Sequence, residues 1–475
     1  MSPGWRFHLA VVTLLAGLLL FSNLHEGGLS GYDDALYAHE GEQMLRTGDW
    51  WNVRCNGSFN FEYPPMFFWL EALSMSLWGA TDFAAKFPSA LAGLLTIVSV
   101  FLIGRAAGRN DLYPVCAAWI LMLTQYFLKY SMHAMTDVPY ALFFTLAILF
   151  YLLGLRRPLF FLLCGCAVAA AILTRSVLGC IPLAVILGHG ALAERFRPLR
   201  SPAFAAGMAL AIVLPALWYV PQYRAHGAPF LEQSLQVITS KVSHGGDSGA
   251  RGFLWDLARY PGLLAKLYWP WLPLLILGLW MEARRAWRSR DGFSILLLLW
   301  IGCILVPLSL ADSKTLRYIM PAFGAFALAA AVPSSGWLLP VRHRLHARVG
   351  YVLLCLAVAA MASVSSPLER AGGIRAIGAA VQRHVPAPER VHFYTGGAPR
   401  HDDRNQMLWY SKRRLDHHLD PAALVRELEG GGYFVVDRPS WEAIVLPRAA
   451  CVTELAGTEA WVLFARGRQA IDRHR

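Results

Sequence analysis

Apolar runs of about twenty residues recur through most of the first 365 residues, and nothing else in the sequence constrains the fold as strongly. Hydrocarbon offers no hydrogen bonds to the backbone, so each run has to be a helix that satisfies its own polar groups. Runs near 7–24, 86–105, 111–129, 137–155, 158–174, 177–193, 202–222, 262–281, 293–310, 317–333 and 349–365 predict about eleven spans. A chain that is 56% hydrophobic and only 16% charged is no ordinary soluble domain over most of its length. The expected architecture is a polytopic α-helical membrane protein.

A net charge of +12 raises the question of nucleic acid, but the cations lie in short clusters between apolar runs, as in cytoplasmic membrane loops. Arg105 with Arg109, Arg156 with Arg157, Arg195 to Arg200, Arg284 to Arg290 and Arg342 to Arg348 fall on alternate connections. That pattern argues against nucleic acid and places the N-terminus in the cytoplasm. No small-x-small site follows the first run, so it reads as an uncleaved span. The eight cysteines are scattered, and no pair has metal-site spacing.

From Ser366 the pattern changes. Strand-like RVHFYTGG, GYFVVDR and AWVLFAR alternate with helix-like GIRAIGAAVQRHV and DPAALVRELEGG, which predicts a small extracytoplasmic α/β domain over 366–475 behind a membrane domain over 1–365. His401, Asp402, Asp403, His417 and His418 in this tail lack metal-ligand spacing and read as a solvated loop.

The loop over 25–85 is the exception to the basic trend. Between Leu24 and Ala85 it holds nine Asp or Glu against Arg46 and Arg54. Asp33 and Asp34 follow the first span closely, near the level where a lipid phosphate and a water-soluble hydroxyl can meet. A carboxylate there suits general-base chemistry, although paired acids are also ordinary solvated surface. YAHEGEQMLRTGDWW then reads as a helix ended by Gly48, with Tyr37, Glu40, Met44 and Leu45 roughly on one face. In FEYPP the prolines fix the chain and place Glu62 and Tyr63 before MFFWLEALSMSLWG, expected to be an interfacial helix.

Three further places hold ionisable groups at span ends. Asp137 opens a span in HAMTDVPY as a solvated acid or a helix cap with Thr136. Arg175, in ILTRSVLG, either snorkels to the interface or binds phosphate. Lys314, Arg317 and Tyr318 stand on the side that positive charge usually avoids, which calls for a function. The segment over 224–261, with a Gly-rich hinge, suits either a lid or a plain connector.

The string DDALYAHEGEQMLRTGDWWNVRCNGSFNFEYPPMFFWL resembles the first loop of GT-C glycosyltransferases, in the branch of protein O-mannosyltransferases and lipid A aminoarabinose transferases. That branch shows DE-x-x-Y-A, a GDW turn, then F-E-K-P-P and an aromatic run. The resemblance implies Asp33 as the catalytic base, with Asp34 as a second catalytic acid where Glu is usual and Tyr37, on the family's tyrosine, as a substrate-binding residue. It implies substrate-binding roles for Glu62, Tyr63, Arg175 and, through a late S-K-x-x-x-Y-x-x-P-like motif, for Lys314, Arg317 and Tyr318. Asp137 would join Asp33 as a catalytic or metal-holding acid. Tyr63 stands where the family has Lys, so the donor phosphate must rely on Arg175, Lys314, Arg317 or a divalent metal ion.

The implied activity is inverting transfer of a sugar from a polyprenyl-phosphate donor to a glycan, lipid or protein acceptor, in a bacterial inner membrane, with membrane lipid as a further partner. The alternative is a transporter or lipid flippase. Acids gathered in an outer loop and at span ends, not at mid-span, favour the enzyme.

Overall fold

The computed structural model describes residues 4–31, 33–242, 262–265, 267–310, 316–338, 372–396, 401–448 and 452–467. The expected span at 349–365, residues 243–261 of the segment over 224–261 with most of its Gly-rich hinge, and Lys314 lie outside the described residues.

The chain opens with α1 (Gly4–Phe21), α2 (Asp33–Thr47) and a small hairpin of β1 (Arg54–Cys55) and β2 (Ser58–Phe59). After it come α3 (Met66–Trp78), α4 (Asp82–Ala106), α5 (Tyr113–Met122), α6 (Gln125–Ser131), α7 (Asp137–Gly154) and α8 (Phe160–Arg175). The helical part continues through α9 (Ile181–Leu192), α10 (Pro202–His226), α11 (Ala228–Val242), α12 (Leu272–Ser289), α13 (Gly292–Leu310) and α14 (Ala322–Leu338). Next are α15 (Gly372–His384), β3 (Arg390–Tyr394), α16 (His401–Ser411), β4 (Arg414–His418), α17 (Pro421–Gly430), β5 (Gly432–Asp437), β6 (Val452–Gly457) and β7 (Trp461–Arg466).

Among the described residues six apolar stretches are long enough to cross a membrane, and three shorter apolar helices accompany them. The expected pair of spans at 158–174 and 177–193 falls in the apolar stretch Phe160–Leu192, as α8 and α9 on either side of a 3-10 turn at Ser176–Cys180. The run at 111–129 is broken instead, because Thr124 adopts extended backbone between α5 and α6. The run at 262–281 is helical at 262–265 and 267, is interrupted by a bend and turn over 268–271, and resumes from Leu272 to Ser289, carrying Arg284, Arg285 and Arg288 with it.

The chain forms two compact units. The first comprises residues 1–24, 61–67 and 86–365; the second comprises 25–60, 68–85 and 366–475. Apart from 61–67, the acidic loop thus shares a unit with the tail.

Within the first unit, small residues let helices approach closely, as apolar helices do where lipid supplies no hydrophobic drive. A Cβ on Gly165 of α8 would collide with the Gly207 carbonyl of α10, and one on Gly278 of α12 with the Ala329 carbonyl of α14. Trp300 stacks on Phe144 at 5.5 Å and donates its indole N–H to the Pro321 carbonyl. Glu282 is fully buried and gathers the nearby cations: Arg109 reaches it at 2.7 Å and Arg285 at 2.9 Å, while Ser294 donates at 2.6 Å. A buried carboxylate needs this number of partners.

The second unit is built on a five-stranded mixed sheet of order β4-β3-β5-β7-β6. The first three strands are parallel, and β7 runs antiparallel to both β5 and β6. Leu424 and Leu428 of α17 bury against Phe434, Val436, Phe464 and Trp441. Three strands and two helices match the sequence expectation. The polar strands β4 and β6 were not expected, and the supposed solvated loop is α16 and β4, with His418 Nε2 3.0 Å from His392 Nδ1.

Candidate active site

The candidate residues fall in both units, and each group has its own internal logic. In the first unit, α11 pins the segment before the prolines. The Phe61 N–H donates to Gln233 Oε1 at 3.1 Å, and Ser234 Oγ donates to the Phe61 carbonyl at 3.1 Å. The Phe61 ring meets His226 at 4.8 Å and Phe230 at 5.2 Å. With Pro64 and Pro65 fixing the chain on the other side, Glu62 and Tyr63 are confined at both ends.

Asp137 is the first residue of α7. The preceding turn is tied by Ser89, whose Oγ donates to the Met135 carbonyl at 3.0 Å and accepts from the Met135 N–H at 3.3 Å. Thr136 makes no side-chain cap. The Asp137 carboxylate instead accepts from Arg175 in a buried ion pair, both side chains at most 4% exposed. Asp137 Oδ2 has no hydrogen-bond partner among the described residues.

Arg175 closes α8, where Ser176 turns to φ +50° and the chain enters a 3-10 turn over Ser176–Cys180. The side chain is buried, so the snorkelling alternative does not hold. Its guanidinium stands 5.1 Å from the Tyr63 ring centre and 5.1 Å from that of Tyr318. Tyr318 lies in the 3-10 turn Leu316–Ile319, which also brings Arg317 Nη1 to 3.8 Å from Met135 Sδ. Tyr63, Asp137, Arg175 and Tyr318 therefore form one cluster. A guanidinium has five N–H donors, more than one carboxylate oxygen uses, and its planar fork matches phosphate.

In the second unit Asp33 and Asp34 form the first turn of α2, where the helix dipole favours negative charge. Asp34 is buried, and its Oδ2 accepts from the Ser30 N–H at 2.9 Å and from Ser30 Oγ at 3.1 Å. That carboxylate holds the entry to the helix. Asp33 is only partly buried. Just upstream, α16 fixes the chain: Tyr410 Oη accepts from the Leu29 N–H at 2.8 Å, and Gln406 Nε2 donates to the Leu29 carbonyl at 2.8 Å. Trp409 and Tyr410 in turn donate to Asp82 at 2.8 and 3.3 Å. Gly31 is required here, because a Cβ would collide with the Asp402 backbone.

Tyr37 is buried edge-on against Phe68, with ring centres 5.9 Å apart. Glu40 accepts from Asn60 Nδ2 at 2.6 Å. Glu71 of α3 is fully buried where Gly41 lets α3 approach α2, and neither carboxylate oxygen has a hydrogen-bond partner among the described residues. Burial, then Glu40 and Asp34, hold its carboxyl well above the usual range of about 4.5. A neutral Glu71 limits the crowding of charge beneath the α2 N-terminus.

Sequence reasoning missed Glu71, Asp82 and the Gln233–Ser234 clamp. Glu71 carried a usable signal, being the one acid inside MFFWLEALSMSLW. For a metal ion held by Asp33 and Asp137, the donor set is a poor fit: a guanidinium already takes one of the two Asp137 oxygens, and among the described residues no group of three His, Cys, Asp or Glu is arranged to hold a metal.

The chain is similar to GT-C membrane glycosyltransferases over part of its sequence and in its fold. Residues 62–219 match the dolichyl-phosphate-mannose-protein mannosyltransferase family. The chain is 27% identical over 318 residues to an undecaprenyl phosphate-alpha-4-amino-4-deoxy-L-arabinose arabinosyl transferase of Sodalis glossinidius, covering 62% of this chain and 53% of that one. The fold matches ArnT from Cupriavidus metallidurans bound to undecaprenyl phosphate, with TM-score 0.75, 18% identity and 99% of each chain covered. It also matches the Archaeoglobus fulgidus oligosaccharyltransferase, with TM-score 0.61, 14% identity and coverage of 92% of this chain and 70% of that one. These two likenesses describe the fold alone. The chain spans between 53% and 63% of the length of the curated relatives that it matches first.

Proposed function

We propose that this protein transfers a sugar, with inversion, from a polyprenyl-phosphate donor to an acceptor on the extracytoplasmic side of a bacterial inner membrane. The observation that carries this reading is the buried Arg175 guanidinium, held by Asp137 and flanked by Tyr63 and Tyr318. Tyr63, Asp137 and Arg175 all lie inside the matched segment 62–219. The names of that family and of the arabinosyl transferases share a polyprenyl-phosphate sugar, which supports the donor class.

In this reading Asp33 takes the proton of the acceptor hydroxyl as its oxygen attacks C1 from the face opposite the phosphate. The C1–O bond to phosphate breaks, and the lipid phosphate leaves with the electron pair. Arg175 compensates its charge, aided by Arg317 and Lys314, and Tyr318 and Glu62 orient the donor. Asp34 and Asp137 act by holding the α2 entry and the guanidinium. No step runs through a metal ion.

Purified protein given radiolabelled polyprenyl-phosphate sugar and glycolipid, glycan or peptide acceptors tests the reading. Glycosylated product with release of the lipid phosphate is expected. Movement of the lipid across vesicles without product would mark a transporter instead.

A further inference from the structure

We infer that the second unit carries an anion site for a phosphate-bearing glycan headgroup, in a cavity lined by arginines from α2, β3 and β4. This inference rests on the transferase reading for its biological source, the acceptor, but not for the site itself.

The cavity measures about 480 Å³ and is lined by Arg46, Arg390 and Arg414 together with Gln43 and Thr47. That is the size range of small-ligand pockets, about 300–1,000 Å³. Its polar lining is dominated by donors: three guanidinium groups, an amide and a hydroxyl. No acid lines it.

Two of its arginines are placed against their own electrostatics. Arg390 and Arg414 are direct partners in the parallel pairing of β3 and β4, and like charges opposite one another destabilise a sheet. Arg390 is partly offset by Asp416 at 3.1 Å, an exposed pair of small worth, and the half-exposed Arg46 by the buried Glu42 at 3.6 Å. Among the described residues Arg414 has no ion pair and no side-chain hydrogen bond. The surrounding field is positive as well. His39 is pushed down to about 3, first by burial and then by Lys412, Arg46 and Arg404.

The site is also built around Arg414. The hairpin turn at Asn56 and Gly57 has φ of +52° and +85°. Asn56 Nδ2 donates to the Leu415 carbonyl at 2.7 Å while Asn56 Oδ1 accepts from the Leu415 N–H at 3.0 Å, locking the turn beside the strand that carries Arg414. A Cβ on Gly57 would lie 3.1 Å from the Arg414 guanidinium carbon, so any other residue at this turn would press on that side chain. Several guanidinium forks converging on one cavity suit a phosphate ester, and the amide and hydroxyl suit the hydroxyls of an attached sugar.

The test uses the full chain in nanodiscs without donor lipid, titrated with glucosamine 1-phosphate, inorganic phosphate and glucosamine by calorimetry. Glucosamine 1-phosphate is expected to bind more tightly than inorganic phosphate, with glucosamine not binding. Arg414→Gln and Arg390→Gln should each weaken the phosphosugar at least about tenfold with an unchanged melting temperature. Equal affinity in wild type and both variants would overturn the site. Equal affinity for inorganic phosphate and phosphosugar would overturn its assignment to a glycan headgroup. Because no sugar is transferred in this measurement, its failure is separate from a failure of the transferase reading.

Discussion

The Arg175 guanidinium stands 5.1 Å from the ring centre of Tyr63, the residue found where the F-E-K-P-P pattern has lysine. A phenol in that position cannot supply a charge, but its ring face can hold one that arrives from α8. Asp137 completes the arrangement by pairing with the same guanidinium, so the cation is buried without being isolated.

Removing one partner of that pair should cost far more than removing both. Arg175→Ala leaves a buried carboxylate and is expected to lower stability by about 3–5 kcal/mol, whereas the double variant with Asp137→Ala should recover most of it. Thermal unfolding in detergent reads the stability. Binding of polyprenyl phosphate should be lost in both variants, which separates holding the fold from holding the lipid.

Tyr63→Phe should retain both the ring contact and donor binding, because the interaction with Arg175 uses the π face. Tyr63→Lys, which restores the family residue, should weaken folding, since it brings an ammonium beside a guanidinium already fixed by Asp137. Melting temperatures of the two variants against wild type check the order.

Glu71 gives a pH dependence with a definite sign. Its carboxyl is raised in the folded state by burial, Glu40 and Asp34, so its contribution to stability is full below about pH 4.5 and is lost as pH rises through the folded value. Glu71→Gln keeps the neutral shape and should flatten that decline. Melting temperature followed from about pH 5 to about pH 9 in both proteins makes the comparison; parallel curves would show that Glu71 does not titrate in this way.

Tyr410→Phe removes the hydroxyl that accepts from the Leu29 N–H and donates to Asp82. A cost of about 1–3 kcal/mol is expected for the groups left unsatisfied. Hydrogen exchange should quicken over Leu29 to Asp34, just ahead of the proposed base, and unchanged exchange there would deny Tyr410 its positioning role.

What could be read from the residues and what could not follow a physical line. Helix α2 was legible because its polar sequence ends at a glycine that adopts φ +69°, and β3, β5 and β7 because they are apolar runs bounded by turn residues. RLDHH and VTELAG gave no such signal, since edge strands are polar by necessity, and both lie at the edges of the sheet. The break at Thr124 was hidden inside an unbroken apolar run. Asp137 and Arg175 were each visible as charges at span ends, but their pairing joins residues 38 apart and follows only from how α7 and α8 lie together. The clamp of Phe61 by Gln233 and Ser234 joins still more distant segments through two unremarkable polar residues.

The central claim is that Asp33 is the base. The direct measurement is single-turnover transfer from a radiolabelled polyprenyl-phosphate sugar by wild type and Asp33→Asn, with donor binding measured in parallel. The account predicts that the variant binds the donor lipid within about twofold of wild type and transfers sugar about 10²–10⁴ times more slowly. An Asp33→Asn protein that transfers sugar at the wild-type rate would contradict it.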